Sequence, residues 1–403
     1  MQGFSDFVIR VRNSAPPFVR NAIDRTIAAE RGPIAWAKEK MLVREDVPAV
    51  ASPRTDHEVR LLITPMNYAG QGREWARSLD AAEVEAVNLA VLTARTFHST
   101  ADTSVSAAVF AASREWRSKQ REALPLFTHV MIESFTSPLG RGTGDVVRDD
   151  VAWLKTRNVR VALLCHGTDV RHPNEHIATH PFSPFLDLSA SSLERAERSA
   201  STNARIAADS GVPVFVSTPD LLVDVPNARW LPVVVEPDRW ASTRGVDAAV
   251  PVVMHMPSSG PIKGTAHADR AAEILVGEGI IEYRRLQDVP AERVPGHVGD
   301  ADVVIDQLLL GSYGVAACEA LAAGRVVVGN VDDAVREHVR SVTGLEVPIV
   351  QADPESLVDV LRGLAADPVQ RKRIAARGPE FVSQIHSGVR TRAVLADYLD
   401  TAG

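Results

Sequence analysis

Two charged side chains beside glycine turns are the chain's best candidates for chemistry. Lys263 follows an apolar run, Pro251 to Met256, and precedes Gly264-Thr265, which opens a helical pattern. An ammonium just past a strand end is suited to phosphate oxygens. Further on, ADVVIDQLLLGSYGVAACEALAAGRVVVG runs from Ala301 to Gly329. The apolar run Val303 to Ile305, the turn Gly311-Ser312-Tyr313-Gly314, a small-residue helix and the run Arg325 to Val328 form a strand–turn–helix–strand unit. The helix start offers backbone N–H groups at its positive end to an anion. Glu319, four residues after Val315, lies about one turn further along the same face. A lone carboxylate there suits a sugar hydroxyl better than a metal, so the unit reads as a nucleotide diphosphate site.

Other strand ends carry polar clusters. Leu61 to Thr64 leads into Pro65-Met66-Asn67-Tyr68-Ala69-Gly70-Gln71-Gly72. Gly70 and Gly72 permit close backbone approach, but a third glycine at dinucleotide-fingerprint spacing is missing. Val159 to Cys165 ends in His166-Gly167-Thr168-Asp169-Val170-Arg171, which suits either a cleft lining or a turn capped by Thr168 or Asp169. His172, His176 and His180 are spaced by four, but Pro173 and Pro181 are expected to interrupt any helix aligning them, and no metal site is expected.

These motifs need strands to end beside them, and the apolar pattern supplies them. Strands are expected at Val59 to Thr64, Glu85 to Leu92, Ser106 to Ala111, His129 to Glu133, Val159 to Cys165 and Val214 to Ser217. Helices are expected over Gly72 to Leu79, Val147 to Thr156 and Leu193 to Asp209. After Val233-Val234-Val235-Glu236-Pro237 a second alternating series begins, closing with helices near 354–365 and 368–386. Alternating strands and helices argue for parallel sheets, which place ligands at strand ends. The expected division is a basic helical extension and linker over 1–56, domains over 57–238 and 239–385, and a C-terminal helix over 386–403 returning to the first domain.

Composition limits the alternatives. A chain of 403 residues is long for one core. Net charge of -7 argues against a nucleic-acid partner, which would favour a basic excess. Cys165 and Cys318 sit among apolar or small residues and suggest no disulfide framework. No signal peptide and no membrane-spanning run is evident, so a cytoplasmic protein is expected. Residues 1–44 carry eight Lys/Arg against four acids, interleaved with Phe4, Phe7, Phe18 and Trp36. That pattern fits helices packed on the body, or peripheral contact with an anionic membrane.

Together, Lys263-Gly264-Thr265, Gly311-Ser312-Tyr313-Gly314, Glu319-Ala320-Leu321-Ala322-Ala323-Gly324 and Val326 to Val328 resemble the donor domain of GT-B glycosyltransferases. The similarity is to the large retaining family that includes phosphatidylinositol mannosyltransferases and bacterial polysaccharide glycosyltransferases. Asp306-Gln307 resembles a bacterial subset of that family. The implied fold class is α/β, two Rossmann-like domains facing a central cleft. The resemblance implies Lys263 on the donor diphosphate, Tyr313, Gly314 and Val315 at the donor with the last two as amide donors, and Glu319 on the ribose. It implies His166 near the transferred sugar, Gly70 and Gly72 beside the donor, and Asn67, Asp169 and Arg171 at the acceptor or cleft.

The implied activity is transfer of a hexose from a nucleotide diphosphate sugar to a hydroxyl acceptor with retention, with neither metal nor further cofactor. The chain departs from the pattern twice. Gly311 stands where the family usually has another glutamate, and Ser259-Gly260-Pro261 stands where an arginine is common. Arg171, Arg325 or a histidine is left to supply the second charge. Rival readings are a sugar-nucleotide epimerase or phosphorylase on the same scaffold, or a catalytically silent homologue that binds a partner.

Overall fold

Runs such as Leu61-Leu62-Ile63 and Val326-Val327-Val328 are apolar at successive positions, the mark of strands buried on both faces. In the computed structural model, which describes residues 46–80, 84–92, 100–257, 260–287 and 289–400, they form two all-parallel sheets. The basic segment 1–44 lies outside the described residues. The first sheet contains β1 (Val59–Thr64), β2 (Val84–Leu92), β3 (Thr103–Ser106), β4 (His129–Glu133), β5 (Arg160–Cys165), β6 (Val214–Val216) and β7 (Arg229–Trp230). Its order is β3-β2-β1-β4-β5-β6-β7. The second contains β8 (Val252–His255), β9 (Glu282–Arg285), β10 (Val303–Ile305), β11 (Val326–Gly329) and β12 (Ile349–Gln351), ordered β12-β11-β10-β8-β9.

Both orders reverse direction once, between β1 and β4 and between β8 and β10. Connections on the two sides of such a point leave in opposite directions, opening a crevice at the strand ends. The segments after β1, β8 and β10 carry the expected motifs, so both reversals serve one region.

Side-chain alternation divides the core. Met254, Val304 and Val327 face a cluster shared with Leu61, Trp75 and Trp240. Val253, Val303, Ile305, Val326 and Val328 face a second cluster with Leu308, Leu357 and Leu361. Helix Val389–Leu399 lies against the first sheet's unit: Tyr398 Oη donates to the Arg160 carbonyl at 3.3 Å, and Arg392 Nε donates to the Ser78 carbonyl.

Three local expectations are corrected. Ser106 to Ala111 is not a strand: β3 ends at Ser106, whose hydroxyl accepts from Val109 N at 3.2 Å and caps helix Ala107–Ala112. The expected helix 368–386 is three pieces, Pro368–Ala375, Arg377–Phe381 and a π-helical turn Val382–His386. Pro379 lacks the N–H that a continuous helix would use. Pro173 opens helix Pro173–Thr179 rather than breaking it, and the His176 and His180 rings stack at 3.9 Å. Among the described residues no helix is long and apolar enough to cross a membrane.

Candidate functional site

A cleft of about 560 Å³ lies where the two reversals meet, within the size range of small-molecule sites. Gly70, Gln71 and Glu74 line it from the first unit, Lys263, Gly314 and Glu319 from the second, and Val234 to Glu236 from the crossing segment between them.

The crossing segment is held firmly on both sides. Gln71 Nε2 donates to the Val234 carbonyl at 2.9 Å, and its Oε1 accepts from Val234 N at 2.7 Å. Trp75 Nε1 donates to the Pro232 carbonyl at 2.8 Å, while Val235 N donates to the His386 carbonyl at 2.7 Å. Buried peptide groups are thus paired where no sheet pairs them.

Lys263 closes the short helix Gly260–Lys263, and Gly264 follows at φ +75°. A Cβ at Gly264 would stand 3.1 Å from Leu309 and 3.2 Å from Leu308, so both conformation and packing call for glycine. Thr265 does not cap the following helix; its hydroxyl meets His255 Nε2 at 2.9 Å. Lys263 Nζ donates to Asp306 Oδ1 at 2.7 Å. Asp306 Oδ2 accepts from Gly314 N at 3.4 Å, so one buried carboxylate ties the lysine to the turn after β10.

Gly314 precedes helix Val315–Ala322, whose first N–H groups have no acceptor within the helix. Glu319 projects from it into the cleft. Among the described residues no hydrogen bond or ion pair holds its carboxyl. Burial pushes that carboxyl up to about 8, against the opposing fields of Lys263 and Arg239. A carboxyl so placed is suited to receive a hydroxyl from a ligand.

Gly311 has φ +69°, and a Cβ there would stand 2.1 Å from Asp332 Oδ2. The Asp332 carboxylate is itself held by His180 Nε2 at 2.7 Å. The missing glutamate therefore has a steric reason: a side chain at 311, on a backbone conformation that favours glycine, would have to displace the Asp332 carboxylate.

Lys263, Gly314, Val315, Glu319 and Gly70 all line the cleft. The other expected residues sit elsewhere. Tyr313 is buried, with its hydroxyl 3.3 Å from His386 Nε2, and packs in the core. Gly72 makes room inside the protein, since a Cβ would stand 2.6 Å from Asn88 Nδ2. Asn67 is buried at φ +51°, donating from Nδ2 to the Thr100 carbonyl at 3.1 Å and accepting from Arg73 N at 3.0 Å. Asp169 accepts from His166 N at 3.0 Å and from Gly167 N at 2.6 Å, which makes it the cap of that turn. Arg171 is buried in an ion pair with Asp220. Arg325 is likewise buried, donating to the carbonyls of Ala323, Gly299, Ala301 and Arg244.

His166 does not line the cleft. Its Nε2 meets Glu133 Oε1 at 3.1 Å, and its ring packs against Tyr68 and Trp75. Glu133, fully buried, also accepts from Met66 N at 2.9 Å and Asn67 N at 3.1 Å, fixing the loop after β1. The three spaced histidines take different partners: His172 Glu197, His176 Ser183 and His180 Asp332.

Sequence reasoning missed Glu133, the pairing of Asp306 with Lys263, and Arg239 on helix Pro237–Trp240 in the cleft wall. Glu133 carried one signal, a carboxylate closing an apolar strand; the other two have none in local spacing.

No protein-family profile matches the chain, and no curated protein sequence matches it. Solved structures do. HepE of Anabaena, in complex with UDP and glucose, aligns with TM-score 0.54 and 12% identity over 85% of this chain and 99% of its own. Sucrose-phosphate synthase from Thermosynechococcus elongatus aligns with TM-score 0.54 and 13% identity over 85% and 98%. An alpha-glucosyltransferase in complex with UDP and a 13-mer DNA aligns with TM-score 0.53 and 11% identity over 86% and 100%. Two parallel sheets, each reversing at a shared cleft, and alignment of 85% of the chain to HepE and to sucrose-phosphate synthase establish that the chain has the GT-B fold.

Proposed function

We propose that the protein is a nucleotide-sugar glycosyltransferase that moves a hexose to a hydroxyl acceptor with retention, the two domains spanning 57–238 and 239–385. The observation that carries this reading is Glu319: a carboxyl without a hydrogen-bond or ion-pair partner among the described residues, on the helix that Gly314 opens, in the cleft that also holds Lys263. The ribose hydroxyls of a nucleotide match that carboxyl, and the diphosphate matches the ammonium and the helix start. UDP in the HepE complex supports a nucleotide diphosphate as the ligand class.

In this reading the protein stabilises charge building on the departing diphosphate and holds the acceptor on the same face of the sugar. A donor phosphate oxygen takes the acceptor proton. Gly70 lines the cleft, which supports its place beside the donor. His166 acts one step removed, by fixing the β1 loop through Glu133. The basic segment 1–44 remains a proposed peripheral membrane contact.

A thermal-shift panel of UDP-, GDP-, ADP- and TDP-sugars tests the reading. One donor class is expected to raise the melting temperature as its concentration passes its dissociation constant. Lys263→Ala and Glu319→Ala are each expected to lower kcat/KM for that donor by about tenfold or more. No response to any donor would leave the silent homologue, and wild-type kinetics in both variants would remove the site assignment.

A further inference from the structure

The charges around the cleft do not balance as the motifs suggest. Lys263 is the cation that the motif places on phosphate, yet Asp306 meets its ammonium at 2.7 Å and is itself almost fully buried. The pair brings little net positive charge to a ligand carrying two phosphates. Arg171 and Arg325, the other arginines considered for a compensating charge, are buried in contacts of their own and do not line the cleft.

Arg239 differs from all three. It is exposed, stands on helix Pro237–Trp240 at the end of the crossing segment, and lines the cleft together with Lys263 and Glu319. Its guanidinium donates to the Ala291 carbonyl at 3.3 Å and has no carboxylate partner among the described residues. The adjacent Glu236 is engaged by Arg77 at 3.0 Å. The Glu319 carboxyl feels positive fields from Lys263 and Arg239, so both cations stand within electrostatic reach of one point in the cleft.

We propose that Arg239 binds the donor diphosphate, supplying from the crossing segment the second positive charge that the loop before Lys263 lacks. The proposal rests on the reading of the cleft as a nucleotide diphosphate site. A planar fork of donors presents two N–H groups to adjacent phosphate oxygens, which a single ammonium does not. Its location has a mechanical consequence. The crossing segment is bonded to Gln71 on one side and His386 on the other, so the ligand's charge is gripped by the piece of chain joining the two sheets.

Calorimetric titration tests this with UDP, GDP, ADP and TDP, each beside its own nucleoside. Wild type is compared with Arg239→Ala, Arg239→Gln and Arg239→Lys. For the diphosphate that wild type binds best, Arg239→Ala is expected to weaken affinity about ten- to a hundredfold. Nucleoside affinity should stay within about twofold, and Arg239→Lys should regain part of the loss. Arg239→Gln keeps most of the stem, and serves if the alanine variant does not fold. Equal diphosphate affinity in wild type and Arg239→Gln overturns the assignment while leaving the donor site intact. So does an equal loss for diphosphate and nucleoside, because that marks a collapsed cleft rather than a lost phosphate contact. Failure of wild type to bind any of the four diphosphates overturns the donor reading and the proposal with it.

Discussion

A carboxyl that needs a proton to be comfortable is a liability in the folded protein, and Glu319 is one. Its folded value is about 8, above the ordinary carboxylate value it takes when unfolded. Between those values the folded state holds the extra proton, so stability falls as pH rises across that window. Glu319→Gln removes the titration, and should raise the melting temperature at pH 8 by about 2–4 °C for each kcal/mol regained. At pH 5, where the carboxyl is mostly protonated in the folded state, the gain should shrink. Differential scanning at both pH values checks this; equal gains at the two would refute it. The same variant should lose donor turnover if the carboxylate accepts from ribose, an instance of stability traded for function.

At the scale of elements, the turn after β10 depends on one glycine. Gly311 combines a left-handed backbone with a Cβ position already taken by Asp332. Gly311→Ala must therefore strain the backbone and push Asp332 away from His180, costing about 1–3 kcal/mol. Urea denaturation measures that cost, and an undiminished midpoint would count against the packing described. Gly311→Glu should fare worse, even though it completes the pattern of the resembled family. Of the elements themselves, the strands were readable because burial on both faces leaves uninterrupted apolar runs. Ser106 misled because a cap residue and the end of a strand look alike until the hydrogen bond from Val109 is seen.

For the whole molecule, buried histidines set the response to acid. Burial holds His129, His176 and His386 down to about 4, with Arg160 adding to the effect at His129, and His180 and Arg171 at His176. His255 is lowered in the same sense by burial. Between pH 6.5 and 4 the unfolded chain binds protons that the folded chain refuses, so stability falls as pH falls through that window. His180 runs the other way: its bond to Asp332 raises it, giving stability that is lost as pH rises through its folded value. Glu319 weakens the fold as pH rises from the ordinary carboxylate value to about 8. Below pH 6.5 the gain from several histidines outweighs that single group, so the greatest stability is expected near pH 6.5. Chemical denaturation from pH 4 to 8 tests that maximum, and a monotonic profile would exclude it.

The sequence by itself determined the alternating elements, the glycine turns, the lysine and glutamate at the cleft, and the likeness to GT-B donor domains. Each depends on residues close in the chain, where apolar period and backbone freedom act. Only the tertiary structure decided who meets whom. It placed Asp306 on Lys263, Glu133 between His166 and the β1 loop, Asp220 on Arg171 and Arg239 in the cleft wall. It also placed Tyr313, Gly72 and Asn67 in the packed interior rather than on the cleft lining. Charge pairing and side-chain room are set by partners far apart in sequence, and local spacing carries no record of them.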